Sequence, residues 1–126
     1  MRVLKFGGSS VGSLAALECA TEIVKDAAAE GRVGIVVSAL EGVTDSLIDA
    51  SKTMPKAAPE AVDLFTDRFL ERHVNLLGEL GEGPEIVAAG DALKEIASLL
   101  RRLLHGARVV AACPPAAADQ ILAIGE

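Results

Sequence analysis

Two short apolar runs, residues 2–6 and 32–37, flank a segment whose apolar residues Leu14, Leu17, Ala20, Val24 and Ala27 recur every three or four positions. The runs have the length of buried strands, and the segment between them has the period of one helix face. Ser13 stands where an N-cap belongs and Gly31 where a helix stops. Two strands joined by a crossover helix run parallel, and a parallel sheet is expected to be covered on both faces. This pattern confines the chain to the α/β class. It also says where to look for function, because such folds bind ligands beyond the carboxyl ends of their strands.

The remainder reads as helical. A helix is expected from about Gly42 to Thr53, with Val43, Leu47, Ile48 and Ala50 turned inward. After Pro55 and Pro59, one long pattern uses Val62, Phe65, Phe69, Leu76 and Leu77, and a second uses Ile86, Ala89, Leu93, Ile96, Leu100 and Leu103 up to His105 and Gly106. Only residues 78–84 separate them, so an antiparallel hairpin follows. A last helix is expected over residues 119–124, led in by Pro114 and Pro115. Aromatic residues are 2% of the chain and hydrophobic residues 51%, so the core must be aliphatic and rich in alanine. Two strands make a poor sheet. The whole of residues 1–126 is therefore expected to be one lobe of a larger domain, ending early at Gly125 and Glu126, with further strands or a partner completing the sheet.

Charge and composition exclude several functions. Lys and Arg number 12 against 18 Asp and Glu, a net charge of −6, and no basic stripe is visible, which argues against nucleic-acid binding. No apolar run approaches the ~20 residues that span a bilayer, and the start is too short for a signal-peptide core. Cys19 and Cys113 lie far apart in no metal-like spacing and read as reduced thiols of a cytoplasmic protein. His73 and His105 read as a surface and a helix-end histidine, Arg101 and Arg102 as a solvated helix face, and Cys113 as structural.

The chemistry concentrates after the first strand, in Lys5-Phe6-Gly7-Gly8-Ser9-Ser10. A lysine at the strand's end projects over the ligand crevice. Gly7 and Gly8 have no Cβ, so an anion can come close to their N–H groups. The following helix directs its own N-terminal N–H groups to the same place. Together these make a polyphosphate cradle, with Lys5 as its compact positive charge. Other readings fit the single residues: Lys5 as an edge-strand lysine reaching water, Gly7 and Gly8 as a tight turn, Ser38 as a turn hydroxyl, Thr44 as a first-turn residue bonding its own backbone, and Glu126 as a solvated end.

The stretch KFGGSSVG resembles the KFGGTSV signature that opens aspartokinases, members of the amino acid kinase superfamily. Residues 36–45, VVSALEGVTD, are similar to that family's second signature, VVSAMSGVTN. Leu103-Leu104-His105-Gly106 and the closing Ile124-Gly125-Glu126 resemble the helical region and the Gly-Glu element of the same family, and a parent enzyme fused to homoserine dehydrogenase is compatible with the resemblance. The resemblance implies the N-terminal part of a three-layer αβα sandwich, with a parallel βαβ start followed by a helical hairpin. It implies that Lys5 is catalytic and, with Gly7, Gly8 and Ser9, holds the phosphates of ATP, while Ser38, Thr44 and Glu126 bind the substrate. Ser9 stands where the family has threonine and keeps the hydroxyl; Asp45 stands where asparagine is common and is given no role.

The implied reaction converts ATP and L-aspartate to ADP and 4-phospho-L-aspartate, the first step toward lysine, threonine and methionine. Mg²⁺ would be carried on the nucleotide, and the full-length enzyme would be a homo-oligomer. The nucleoside pocket, an acidic residue near the metal and an arginine for the substrate carboxylate belong to the family's following half, so this chain alone is expected to be inactive. Two other readings stand beside this one. The chain is also compatible with another amino acid kinase, of the acetylglutamate or nucleotide type, or with a non-catalytic helical interaction module.

Overall fold

The computed structural model describes residues 1–126. The chain forms two compact units, Met1–Thr44 together with Gly125–Glu126, and Asp45–Ile124.

The first unit is the βαβ element. Strand β1 (Arg2–Phe6) and strand β2 (Val33–Val37) pair in parallel, with Lys5 opposite Val36 and Phe6 opposite Val37. Helix α1 (Leu14–Ala29) crosses between them. Ser13 caps it as expected, its side chain accepting from the Ala16 N–H at 3.3 Å, and the chain leaves through Gly31 at φ 151°. Phe6, Val11 and Ala20 form the core of this unit, with Leu4, Leu17, Val24 and Leu40 packed against them.

The expectation that both faces of the sheet are covered is corrected. Paired residues of a parallel ladder share a face, so Leu4, Phe6, Ile35 and Val37 lie on one side and Val3, Lys5 and Val36 on the other. Val3 is 61% exposed and Val36 51%, so the second face is open. On the α1 side, Ile35 and Val37 are each 53% exposed, because the single helix packs over Leu4 and Phe6 and leaves a groove of about 230 Å³ beside β2. One crossover helix is too narrow to cover two strands. The β-branched sequence of β2 is that of an interior strand, set here at an edge.

The second unit is helical. Helix α2 (Val43–Thr53) begins at the boundary between the units and runs into a 3₁₀ turn at Met54–Lys56. Helix α3 (Pro59–Glu79) opens on a proline at its first position, where the missing N–H costs nothing. Helix α4 (Pro84–Val109) does the same and packs along α3 as the expected hairpin. Helix α5 (Pro115–Ala123) starts four residues earlier than expected. Pro115 takes the first helical position, and Pro114 supplies the carbonyl for the N–H groups of Ala117 and Ala118. No helix is long and apolar enough to cross a membrane.

Three other details differ from the sequence reading. The inward stripe of α4 is Ala97, Leu100, Leu104 and Ala107, whereas Ile96 is 37% exposed. Small alanines allow close approach of neighbouring elements, and burial follows that approach rather than side-chain size. The helix also continues through His105 and Gly106. Gly106 keeps a helical φ, and the reversal comes instead at Ala111, φ 53°. Finally, His105 and Arg101 are working members of the α3–α4 contact. His105 Nε2 lies 3.0 Å from Asp63 Oδ1, and Arg101 donates from Nε to Thr66 Oγ1 at 3.0 Å and pairs with Asp63 and Asp67. A polar stripe on a helix reads as solvated until the partner helix supplies its acceptors.

Candidate functional site

Every residue of the expected site lies in the first unit: Lys5, Gly7, Gly8, Ser9, Ser38, Thr44 and Glu126. Two loops carry most of them, and both leave the carboxyl ends of parallel strands. The first follows β1. The parallel ladder stops at Phe6, and residues 8–10 wind into a 3₁₀ turn. In that turn the Ser10 N–H bonds the Gly7 carbonyl at 2.9 Å and the Val11 N–H bonds the Gly8 carbonyl at 3.3 Å. The N–H groups of Gly8 and Ser9 come before these bonds, at the N-terminal end of the turn, where backbone donors favour an anion.

Lys5 is on the open face of the sheet, its register partner being Val36. Its amine is turned toward the loop: Nζ lies 3.5 Å from the point where a Cβ on Gly7 would sit. A side chain at Gly7 would thus stand beside the amine, in ordinary contact with it. The absence of a side chain leaves that approach open to a ligand. Lys5 is exposed, so the edge-strand reading, with its amine in water, fits this geometry as well.

The second loop follows β2. The Ser38 N–H donates to the Phe6 carbonyl at 3.1 Å, which carries the pairing one residue past the strands. This bond holds Ser38, half-buried, beside the start of the first loop. The chain then turns at Leu40 to Gly42, the Val43 N–H donating to the Leu40 carbonyl at 3.0 Å. Gly42 has φ 76°, a left-handed conformation that glycine adopts without the cost a Cβ imposes. Thr44, half-buried, is the second residue of α2. Glu126 is exposed and belongs to the same unit as the two loops.

The sequence reading missed one feature of this region. Gly8 and Gly12 are places where the two loops touch, Gly8 against the backbone of Ala39 and Glu41 and Gly12 against the Glu41 Cβ. An ideal Cβ on Gly8 would meet the Ala39 carbonyl oxygen at 2.9 Å. Glycine-rich loops are read for what they offer a ligand, and the sequence carries no sign that a second loop rests on the same glycines. The chain has no group of three or more His, Cys, Asp or Glu residues that could hold a metal ion.

A model of the amino acid kinase family matches residues 1–107. The chain is similar to an aspartokinase of Chlamydia trachomatis, with 38% identity over 79 residues, which is 63% of this chain and 17% of that protein. It is also similar in structure to E. coli aspartokinase III in complex with aspartate and ADP (R-state), with a TM-score of 0.79 and 25% identity. For E. coli aspartokinase III in complex with lysine and aspartate (T-state), the TM-score is 0.80 and the identity 23%. Each of these two matches covers 100% of this chain and 26% of the solved one.

Proposed function

This chain belongs to the amino acid kinase family, and from that premise we propose that it is the phosphate- and substrate-binding lobe of an aspartokinase. In the reaction proposed, an oxygen of the aspartate side-chain carboxylate forms a bond to the γ-phosphorus of ATP. The bond to the β–γ bridging oxygen breaks, and ADP leaves with the electron pair. The product is 4-phospho-L-aspartate, on the route to lysine, threonine and methionine. Catalysis of this kind is largely positioning and charge stabilisation.

The observation that carries the reading is the direction of the Lys5 amine, whose Nζ lies 3.5 Å from the Cβ position of Gly7, the residue that leads into the turn. In this role Lys5 offsets charge on the transferred phosphoryl group, and Gly7, Gly8 and Ser9 line the phosphate loop. Ser38 and Thr44 hold the amino acid, and Glu126 pairs with its α-ammonium group. E. coli aspartokinase III, described with aspartate and ADP, supports this choice of ligands. Mg²⁺ would arrive on the nucleotide, bridging its phosphates. The chain spans about a sixth of the Chlamydia relative and a quarter of the solved chains, so turnover is assigned to a longer cytoplasmic, homo-oligomeric enzyme and only ligand binding to these residues.

The test is acylation of the chain with a lysine-selective reagent, with and without ATP, read by peptide mass. ATP is expected to protect Lys5 and leave the exposed Lys25 unprotected. Equal labelling of Lys5 with and without ATP would refute the assignment. Amide shifts at Ser38 and Thr44 that respond to N-acetylglutamate and ignore aspartate would move the substrate to another member of the family.

A further inference from the structure

The two loops of the site meet closely at Ala39 and Glu41. An ideal Cβ on Gly8 would lie 2.9 Å from the Ala39 carbonyl oxygen and 3.2 Å from both the N and Cα of Glu41. One on Gly12 would lie 3.0 Å from the Gly8 carbonyl oxygen and 3.3 Å from the Glu41 Cβ. Both glycines therefore seat Glu41, at separations closer than real Cβ atoms tolerate without movement. Gly7 differs: its nearest neighbour is the end of a flexible lysine, at 3.5 Å. One glycine of the loop meets the Lys5 amine, and two meet the second loop.

The joint is braced above and below. The Ser38 N–H bond to the Phe6 carbonyl ties the loops at their roots, and Leu40 packs with Phe6 and Val11 beneath them. Packed contacts of this kind do not deform smoothly, so a displacement of one loop is passed to the other. We propose that Gly8 and Gly12, seated on Glu41, are positioning residues that make the phosphate loop and the Ser38–Thr44 loop move as one body, so that polyphosphate held by the first sets the geometry of the second. Gly12 lies outside the residues assigned to ligand contact. The inference rests on the reading of the first loop as a phosphate site.

The experiment follows backbone amides by NMR as ATP is added to the chain. In the unchanged protein, ATP shifts the amides of Gly7 to Ser9 and also those of Ala39 to Thr44. In Gly12→Ala the first set still responds and the second set loses most of its response, by about fivefold, the low end of measured couplings between sites. Adding Glu41→Gly to Gly12→Ala removes the 3.3 Å Cβ contact and leaves the 3.0 Å approach to the Gly8 carbonyl oxygen, so it restores only part of the coupled response. The same second change does not restore Gly8→Ala, whose obstruction is backbone. A merely structural role for Gly12 weakens the response of Gly7 to Ser9 together with that of Ala39 to Thr44.

Should ATP shift Gly7 to Ser9 in the unchanged protein and leave Ala39 to Thr44 still, the joint is refuted and the phosphate site stands. That measurement needs no variant to fold. If ATP shifts neither loop, the phosphate-site reading fails and takes this inference with it.

Discussion

Leu100 and Ile96 sit one turn apart on α4, and periodicity alone puts both on the inward face. The structure separates them. Leu100 has no exposed surface, whereas Ile96 is 37% exposed. Leu100→Ala deletes a fully enclosed side chain. The neighbouring stripe residues Ala97, Leu104 and Ala107 are held in a helix and cannot collapse fully into the space. Substitutions of this kind cost about 3 kcal/mol, within a range of roughly 2 to 5. Ile96→Ala loses only part of a buried side chain and gains about 0.4 kcal/mol of helix propensity, so it should cost under about 1 kcal/mol. The assay is urea unfolding followed by far-UV circular dichroism. With a slope of about 2 kcal/mol/M, the Leu100→Ala midpoint should fall by about 1.5 M and the Ile96→Ala midpoint by less than about 0.5 M. Equal losses at the two positions, or a larger loss at Ile96, would show that the inward stripe is the one periodicity suggests.

Two further expectations concern ionisable groups. The hydrogen bond with His105 is the main influence lowering the Asp63 carboxyl below the ordinary carboxylate range; desolvation opposes it, and the charges of His105 and Arg101 add to it. A depressed carboxylate contributes stability that is present above the ordinary value of about 4 and is lost as pH falls through the folded value. Asp63→Asn should therefore be less stable than the unchanged protein at pH 7, with the gap in melting temperature closing in strongly acidic buffer; a gap that is constant with pH would refute this. Burial pushes the Cys113 thiol up, whereas Cys19 is exposed on α1. A thiol-selective aromatic disulfide should label Cys19 first at pH 8, and faster labelling of Cys113 would contradict the burial.

Much of the fold is legible in the order of residues. Ser13, Gly31 and the period of α1 mark the crossover helix by local chemistry, and the β-branched run of β2 marks a strand. Pro59 and Pro84 open α3 and α4 for a reason internal to each residue. The site residues Gly7, Gly8, Ser9 and Ser38 fall on the two strand-end loops and Lys5 near the end of β1, because a parallel pair places those loops at one edge. What was missed depends on partners. Arg101 looks solvated and His105 looks like a helix end until α3 brings Asp63, Thr66 and Asp67 beside them. Ala97 and Ala107 look incidental until close packing selects small residues.

The sequence by itself determined the local events: where helices start, which runs extend, and that a lysine precedes two glycines at the end of a strand. These follow from dihedral preference, capping and period, which act over a few residues. Only the tertiary structure decided which glycines meet Glu41 and which meets the Lys5 amine, which stripe of α4 is buried, and that one helix leaves β2 half uncovered. Those outcomes depend on how closely distant segments approach, and the packing of one surface against another is not encoded in either surface alone.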